Sequence, residues 1–203
     1  MSRIKISLIA AMLPMSAFAA ADTYLIDSVH SFPNFSVNHL GMSTIHGSFD
    51  KMSGKITMDR AAKSGALEIK VETASLSTGD AKHEAGSWAA KNYGPRSRDE
   101  HLRSADFFNV AEFPDATYKS SKFNFNGETL ESVEGSFTLL GVTKPMKLNV
   151  TAFKCGPHPF TKKEMCGADA VTSFKRSDFG MKAFVPAVSD EVKLVINVEA
   201  YKE

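Results

Sequence analysis

Residues 66–73, ALEIKVET, put Leu67, Ile69 and Val71 on one side of an extended chain and Glu68, Lys70 and Glu72 on the other. A period of two is the period of the pleat, in which successive side chains leave opposite faces. MKLNVTA (146–152) repeats it, with Met146, Leu148, Val150 and Ala152 against Lys147, Asn149 and Thr151. EVKLVINVEA (191–200) does so again, through Val192, Leu194, Ile196 and Val198. Strands with one dry face must bury that face against other strands.

Weaker segments extend the pattern. TYLIDS (23–28) opens the series, and in FPNFSVNHL (32–40) Phe35, Val37 and His39 share a face. GSFDKMSGKITMD (47–59), which holds Phe49, reads as a hairpin turning at Ser53-Gly54. TYKSSKFNF (117–125) with Tyr118, then Asn126-Gly127, then TLESVEGSFTLLG (129–141) with Phe137 and Leu139, reads as a second hairpin. GVTKP (141–145) reads as a tight turn, and ADAVTSFKR (168–176) as a further strand. The series gives about eight strands, mostly hairpin-connected and therefore antiparallel, in one all-β domain: a sandwich or a closed barrel. Eight strands make a barrel just wide enough to be filled by its own side chains or to hold one ligand. Fifteen phenylalanines against four tyrosines and one tryptophan suit an apolar cavity and a plain core equally.

Residues 79–108 break the alternation. Ala81, Ala85, Trp88 and Ala89 recur at helical spacing, and Gly94-Pro95 ends that run. Asp99 is expected to cap a short helix over EHLRSADFF, with Phe107 and Phe108 plugging the end of the barrel. A catalytic reading would make His101 a general base oriented by Asp99. Residues i and i+2 do not face each other on a helix, and no nucleophile signature accompanies them. Structure is the first reading of this stretch, a polar contact to a ligand headgroup the second.

The first residues bound the compartment. Arg3 and Lys5, a short apolar run to Leu13, and Ala17-Phe18-Ala19 have the three parts of a secretory signal peptide, with cleavage expected after Ala19 and Ala21 as the competing site. The run is too short to span a bilayer, and no later stretch reaches that length. The chain left after cleavage, 20–203, is expected to be exported. It would lose two of its 24 basic residues against 23 acidic ones, a near-neutral balance without the footprint of a nucleic-acid binder. Cys155 and Cys166, an even pair in an exported chain, read as a disulfide; three metal ligands with His158 are the rival reading, at a spacing that matches no common zinc pattern. His30, His39 and His46 lie within 17 residues but show no ligand spacing either. RSDFG (176–180) reads as a turn in which Gly180 is free to take positive φ.

YLIDSVHSFPNFSVNHLGMSTIHGSFDKMSGKITMD (24–59), RDEHLRSADFFNVAEFPDATYKSSK (98–122), GSFTLLGVTKPMKLNV (135–150) and RSDFG together resemble the YceI family of lipocalin-like, polyisoprenoid-binding periplasmic proteins. The resemblance runs in order over nearly the whole exported chain. It implies an eight-stranded antiparallel barrel with a short helical segment, around an apolar tunnel for a long-chain isoprenoid such as a polyprenol or an isoprenoid quinone. The inward stripes then become tunnel lining: Phe35, Val37 and His39; Phe49; Leu67, Ile69 and Val71; Phe107 and Phe108; Tyr118; Phe137 and Leu139; Leu148 and Val150; Leu194 and Ile196. Asp99 and His101 are the headgroup candidates. The longer connection between Ser75-Leu76-Ser77-Thr78 and Arg98-Asp99, and the cysteine loop, depart from the family pattern. The expectation is a periplasmic lipid carrier or store rather than an enzyme. No cofactor, metal or nucleic acid is expected, and a homodimer is left open. A lipid-modifying enzyme using His101 and Asp99, and a metal or haem carrier using the histidines, are the rivals.

Overall fold

Residues 21–203 are described by a computed structural model; the leader assigned to 1–19 lies outside the described residues. The alternating segments hydrogen-bond into a single antiparallel sheet of eleven strands that closes on itself. Eleven strands make only eight lanes, because three lanes are each interrupted once. β1 (Asp22–Ile26) and β2 (Phe32–His39) both pair with β11 (Glu191–Lys202), Tyr24 opposite Lys202 and Phe35 opposite Leu194. β3 (Ser43–Phe49) and β4 (Met52–Asp59) form the next lane, and β5 (Ser64–Glu72) with β6 (Leu76–Ser77) the third. The ring is completed by β7 (Asp115–Asn126), β8 (Thr129–Leu139), β9 (Val142–Pro157) and β10 (Glu164–Lys175). Closure pairs every strand on both sides except the two-residue β6, which bonds to β3 alone.

Residues 47–59 are therefore not a hairpin. β3 and β4 run in the same direction, separated by Asp50-Lys51, whose amides are taken by the Ser75 carbonyl and the Ser75 hydroxyl. Ser53-Gly54 lies within β4, and the chain reverses only after Asp59. Gly54 marks a close approach instead: a Cβ there would stand 2.3 Å from the Glu68 carbonyl oxygen. GVTKP is likewise mostly strand. The turn is Leu140-Gly141, both at positive φ as a two-residue hairpin loop demands, and Val142 to Pro145 already belong to β9. The Asn126-Gly127 hairpin forms as expected, with positive φ at Gly127. Register shifts at Ser120/Lys122, Asn124/Phe125 and Asp169/Ala170 interrupt the β7–β8 and β9–β10 ladders, as bulges that bend a strand locally do.

The irregular segment lies over one end of the barrel. Only Trp88–Tyr93 is helical (α1); Ala81 and Ala85 stay outside it, and Ser87 supplies the cap. The second helix, α2, is Arg98–Arg103. Its cap is Ser97, not Asp99: the Ser97 hydroxyl accepts from the Glu100 amide and the Glu100 carboxylate accepts from the Ser97 amide. Cys155 and Cys166 face each other across β9 and β10 at the opposite end and are joined by a disulfide, with Cα atoms 4.0 Å apart. The His158 Nδ1 accepts the amides of Phe160 and Thr161.

Candidate functional site

The inward faces of the eight lanes do not meet. They enclose a cavity of about 600 Å³ that runs from the disulfide end to the helix end, lined at one extreme by Tyr24, Met58, Phe153 and Cys166 and at the other by His39, His101, Phe107 and Phe184. The volume lies in the range of small-molecule sites. β11 alone is twelve residues, about 40 Å of strand, or roughly 30 Å along the axis once tilted. A space of this volume spread over that length is a narrow bore.

Each lining stripe follows from the pleat. Leu67, Ile69 and Val71 on β5 face Phe35 and Val37 on β2, Tyr118 on β7, Phe137 and Leu139 on β8, Leu148 and Val150 on β9, and Leu194 and Ile196 on β11. Phe49 joins them from the end of β3. Tyr118 keeps its hydroxyl off the bore by donating to the carbonyls of Val133 and Met146 at 3.0 Å; burial pushes its pKa far above the ordinary phenol value. Tyr24 differs. It is 1% exposed, and its hydroxyl is the one buried side-chain polar atom among the described residues without a hydrogen-bond partner. Beyond it, Asp22 and Lys202, 2.7 Å apart, share its side of the strands by parity, so an ion pair covers the disulfide end.

The helix end is built of aromatic rings. Phe108 packs edge-on against Phe49 at 5.3 Å, and Phe107 lies parallel to Phe184 at 6.0 Å. His101 stands edge-on to both Phe107 and Phe184, and its Nε2 meets the Asp106 carboxylate at 2.8 Å. Asp99 is elsewhere. It is 1% exposed, absent from the cavity wall, and its carboxylate accepts from the amide and hydroxyl of Thr78, tying α2 to the end of β6. The headgroup assignment of Asp99 is thereby corrected: its first-turn position points it away from the bore, into the seam between α2 and the barrel. The same geometry removes the His101–Asp99 pair. His101 lines the cavity, partnered by Asp106 five residues on, a spacing no helix pattern signals.

Arg176 is one of several wall residues, with Tyr24, Met58, Phe153 and Phe184, that the alternating pattern does not single out. It is buried beside Phe107, with its guanidinium carbon 5.9 Å from the ring centre. Its nitrogens donate to the carbonyls of Met181, Ala183, Val188 and Ser189, so one side chain fastens the whole 181–189 loop. Desolvation lowers its pKa, opposed by Asp190, which Ser177 holds through its amide and hydroxyl. RSDFG is thus a buried anchor as well as a turn, and Gly180 does take positive φ.

The three histidines of the metal reading are dispersed. His39 faces the cavity, His46 is exposed on β3, and His30 turns to the Asp27 carboxylate at 2.7 Å. Among the described residues, the grouping with metal-ligand potential is Asp27, His30 and Glu199, at the surface and away from the bore.

An antiparallel barrel of eight lanes around a long apolar bore, covered by a short helix, defines a lipocalin-like β-barrel. The YceI-like domain family matches residues 24–200, and the chain belongs to that family. Protein YceI of Salmonella arizonae is 34% identical over 198 residues, covering 96% of this chain and 95% of its own. The crystal structure of Burkholderia cenocepacia BcnA is similar in fold at a TM-score of 0.67 and 22% identity, covering 86% of this chain and 98% of that one. A polyisoprenoid binding domain from Saccharophagus degradans, implicated in plant cell wall breakdown, matches at a TM-score of 0.60 and 16% identity, over 89% of this chain and 98% of that one.

Proposed function

We propose that the protein holds one long-chain isoprenoid, of the polyprenol or isoprenoid quinone class, in the barrel, and that it carries or stores this lipid in the periplasm. The single observation behind the reading is the elongated cavity whose wall is almost wholly hydrocarbon. Each methylene withdrawn from water into such a wall contributes about 0.8 kcal/mol before ordering costs, so a long chain can be held tightly with few polar contacts. The polyisoprenoid-binding description of the Saccharophagus domain supports the ligand class. The binding character of the family's fold favours a carrier over an enzyme. In this reading a headgroup at the helix end meets the polar lining residues there, His39, His101 and Arg98.

Mass spectrometry of an organic extract of the natively purified protein tests the reading. A polyprenyl species at about one per chain is the expected result. An empty extract, together with no uptake of an offered polyprenol or isoprenoid quinone, would defeat it.

A further inference from the structure

The helix end of the barrel carries exposed apolar residues as well as the cavity opening. Tyr93 and Phe184 line the cavity and are also 71% and 56% exposed, so the apolar wall continues onto the outer surface there. Trp88 extends this surface from Tyr93, ring centres 5.5 Å apart on α1. Val185 follows Phe184, and the Leu40 amide donates to the Ala187 carbonyl at 2.7 Å, which brings the Leu40-Gly41-Met42 turn alongside. Met42 is 87% exposed. The three segments meet round one opening: 38–43, 88–98 and 181–188.

Their charge is one-sided. They contain Lys91, Arg96, Arg98 and Lys182 and no acidic residue; the exposed carboxylates that border them are engaged, Glu100 by the Ser97 amide and Asp106 by His101 and Arg96. Arg96 faces Asp106 and Arg98 donates to Thr78, but Lys91 and Lys182 are exposed and make no ion pair among the described residues. Tryptophan, tyrosine and aliphatic side chains edged by lysines are the composition that settles at a bilayer interface, with rings at headgroup depth and ammonium groups among the phosphates.

We propose that this collar docks the barrel mouth-down on an anionic lipid bilayer, so that the guest passes between membrane and bore without crossing water. The inference rests on the lipid-binding reading above for the identity of the cargo.

Trp88, the chain's single tryptophan, sits in the collar and reports on it directly. The full chain without its leader is mixed with vesicles of phosphatidylethanolamine and phosphatidylglycerol, or of phosphatidylcholine alone. Expected are co-sedimentation with the anionic vesicles, weakened by salt, and a blue shift of Trp88 emission. Met42→Asp should lower partitioning roughly tenfold, and Lys182→Glu roughly fivefold. Neither residue lines the cavity, so guest uptake from detergent should be unchanged in both variants. Absence of vesicle binding overturns the proposal, as does binding that both variants retain in full. A Trp88 shift that grows with protein concentration without vesicles, and disappears in Met42→Asp, would assign the collar to a second copy and also overturn it. Vesicle binding by a protein that takes up no isoprenoid would leave the docking surface standing and remove the cargo assignment.

Discussion

Tyr24 and Arg176 are both buried polar residues on the cavity wall, and their energetics are opposite. The Tyr24 hydroxyl has given up water and gained no partner, which costs about 1–3 kcal/mol. In guest-free protein, Tyr24→Phe should therefore raise stability by about 1 kcal/mol, read as an upward shift of the urea midpoint. A downward shift would show that the hydroxyl has a partner. Arg176 has four carbonyl partners, and a lysine lacks the planar fork needed to reach all of them. Arg176→Lys should cost roughly 3 kcal/mol by the same measurement. It should also release amide protection in 181–189 before the barrel opens. Loss confined to the strands would contradict that role.

At the scale of elements, the 79–97 connection is held by a histidine clamp. His83 Nδ1 meets the Gly94 carbonyl at 2.8 Å and Nε2 meets the Asp80 carboxylate at 3.2 Å. Both partners are acceptors, and only the imidazolium donates from both nitrogens. The Gly94 carbonyl first, and the Asp80 carboxylate with it, raise the His83 pKa above its usual value of about 6.5, against a smaller opposing effect of burial. A raised folded pKa means the clamp is complete below about pH 6.5 and is lost as pH rises through the folded value. Asp80 is shifted down, chiefly by the Arg98 amide, so it stays ionised across that window; its own contribution fails only in stronger acid. Hydrogen exchange in 79–97, corrected for intrinsic rate, should accelerate as pH rises through neutrality in the native protein. In His83→Gln it should be fast and pH-independent. Equal protection at both ends of the range would count against the clamp.

The barrel as a whole keeps its bore because small residues face the lumen at selected heights. Ala170, buried on β10 where the register shifts, lines the cavity opposite large side chains. Ala170→Phe should fill part of the bore. The expected outcome is at least a roughly tenfold loss of isoprenoid uptake with a folded barrel retained, since a cavity accepts added volume that a packed core rejects. Circular dichroism and a lipid-uptake titration check the two halves separately. Undiminished uptake would place the guest elsewhere.

Most strands, the antiparallel pairing of the hairpins and the inward stripes were legible in the chain because the pleat turns alternation into geometry residue by residue; the 47–59 stretch, two collinear strands rather than a hairpin, was not. Leu67, Ile69 and Val71 could face only one way, and the disulfide partners needed only an adjacent register. Local pattern carried no information on how far apart the opposing walls would stand. Nor did it reveal that Gly54 serves a close approach rather than a turn, that Asp99 turns to Thr78, or that Arg176 gathers the 181–189 loop. Those depend on which lanes become neighbours when the sheet closes, through contacts between residues distant in sequence. The bore itself exists because eight lanes fix a circumference, and the side chains inside that circumference fall short of filling it.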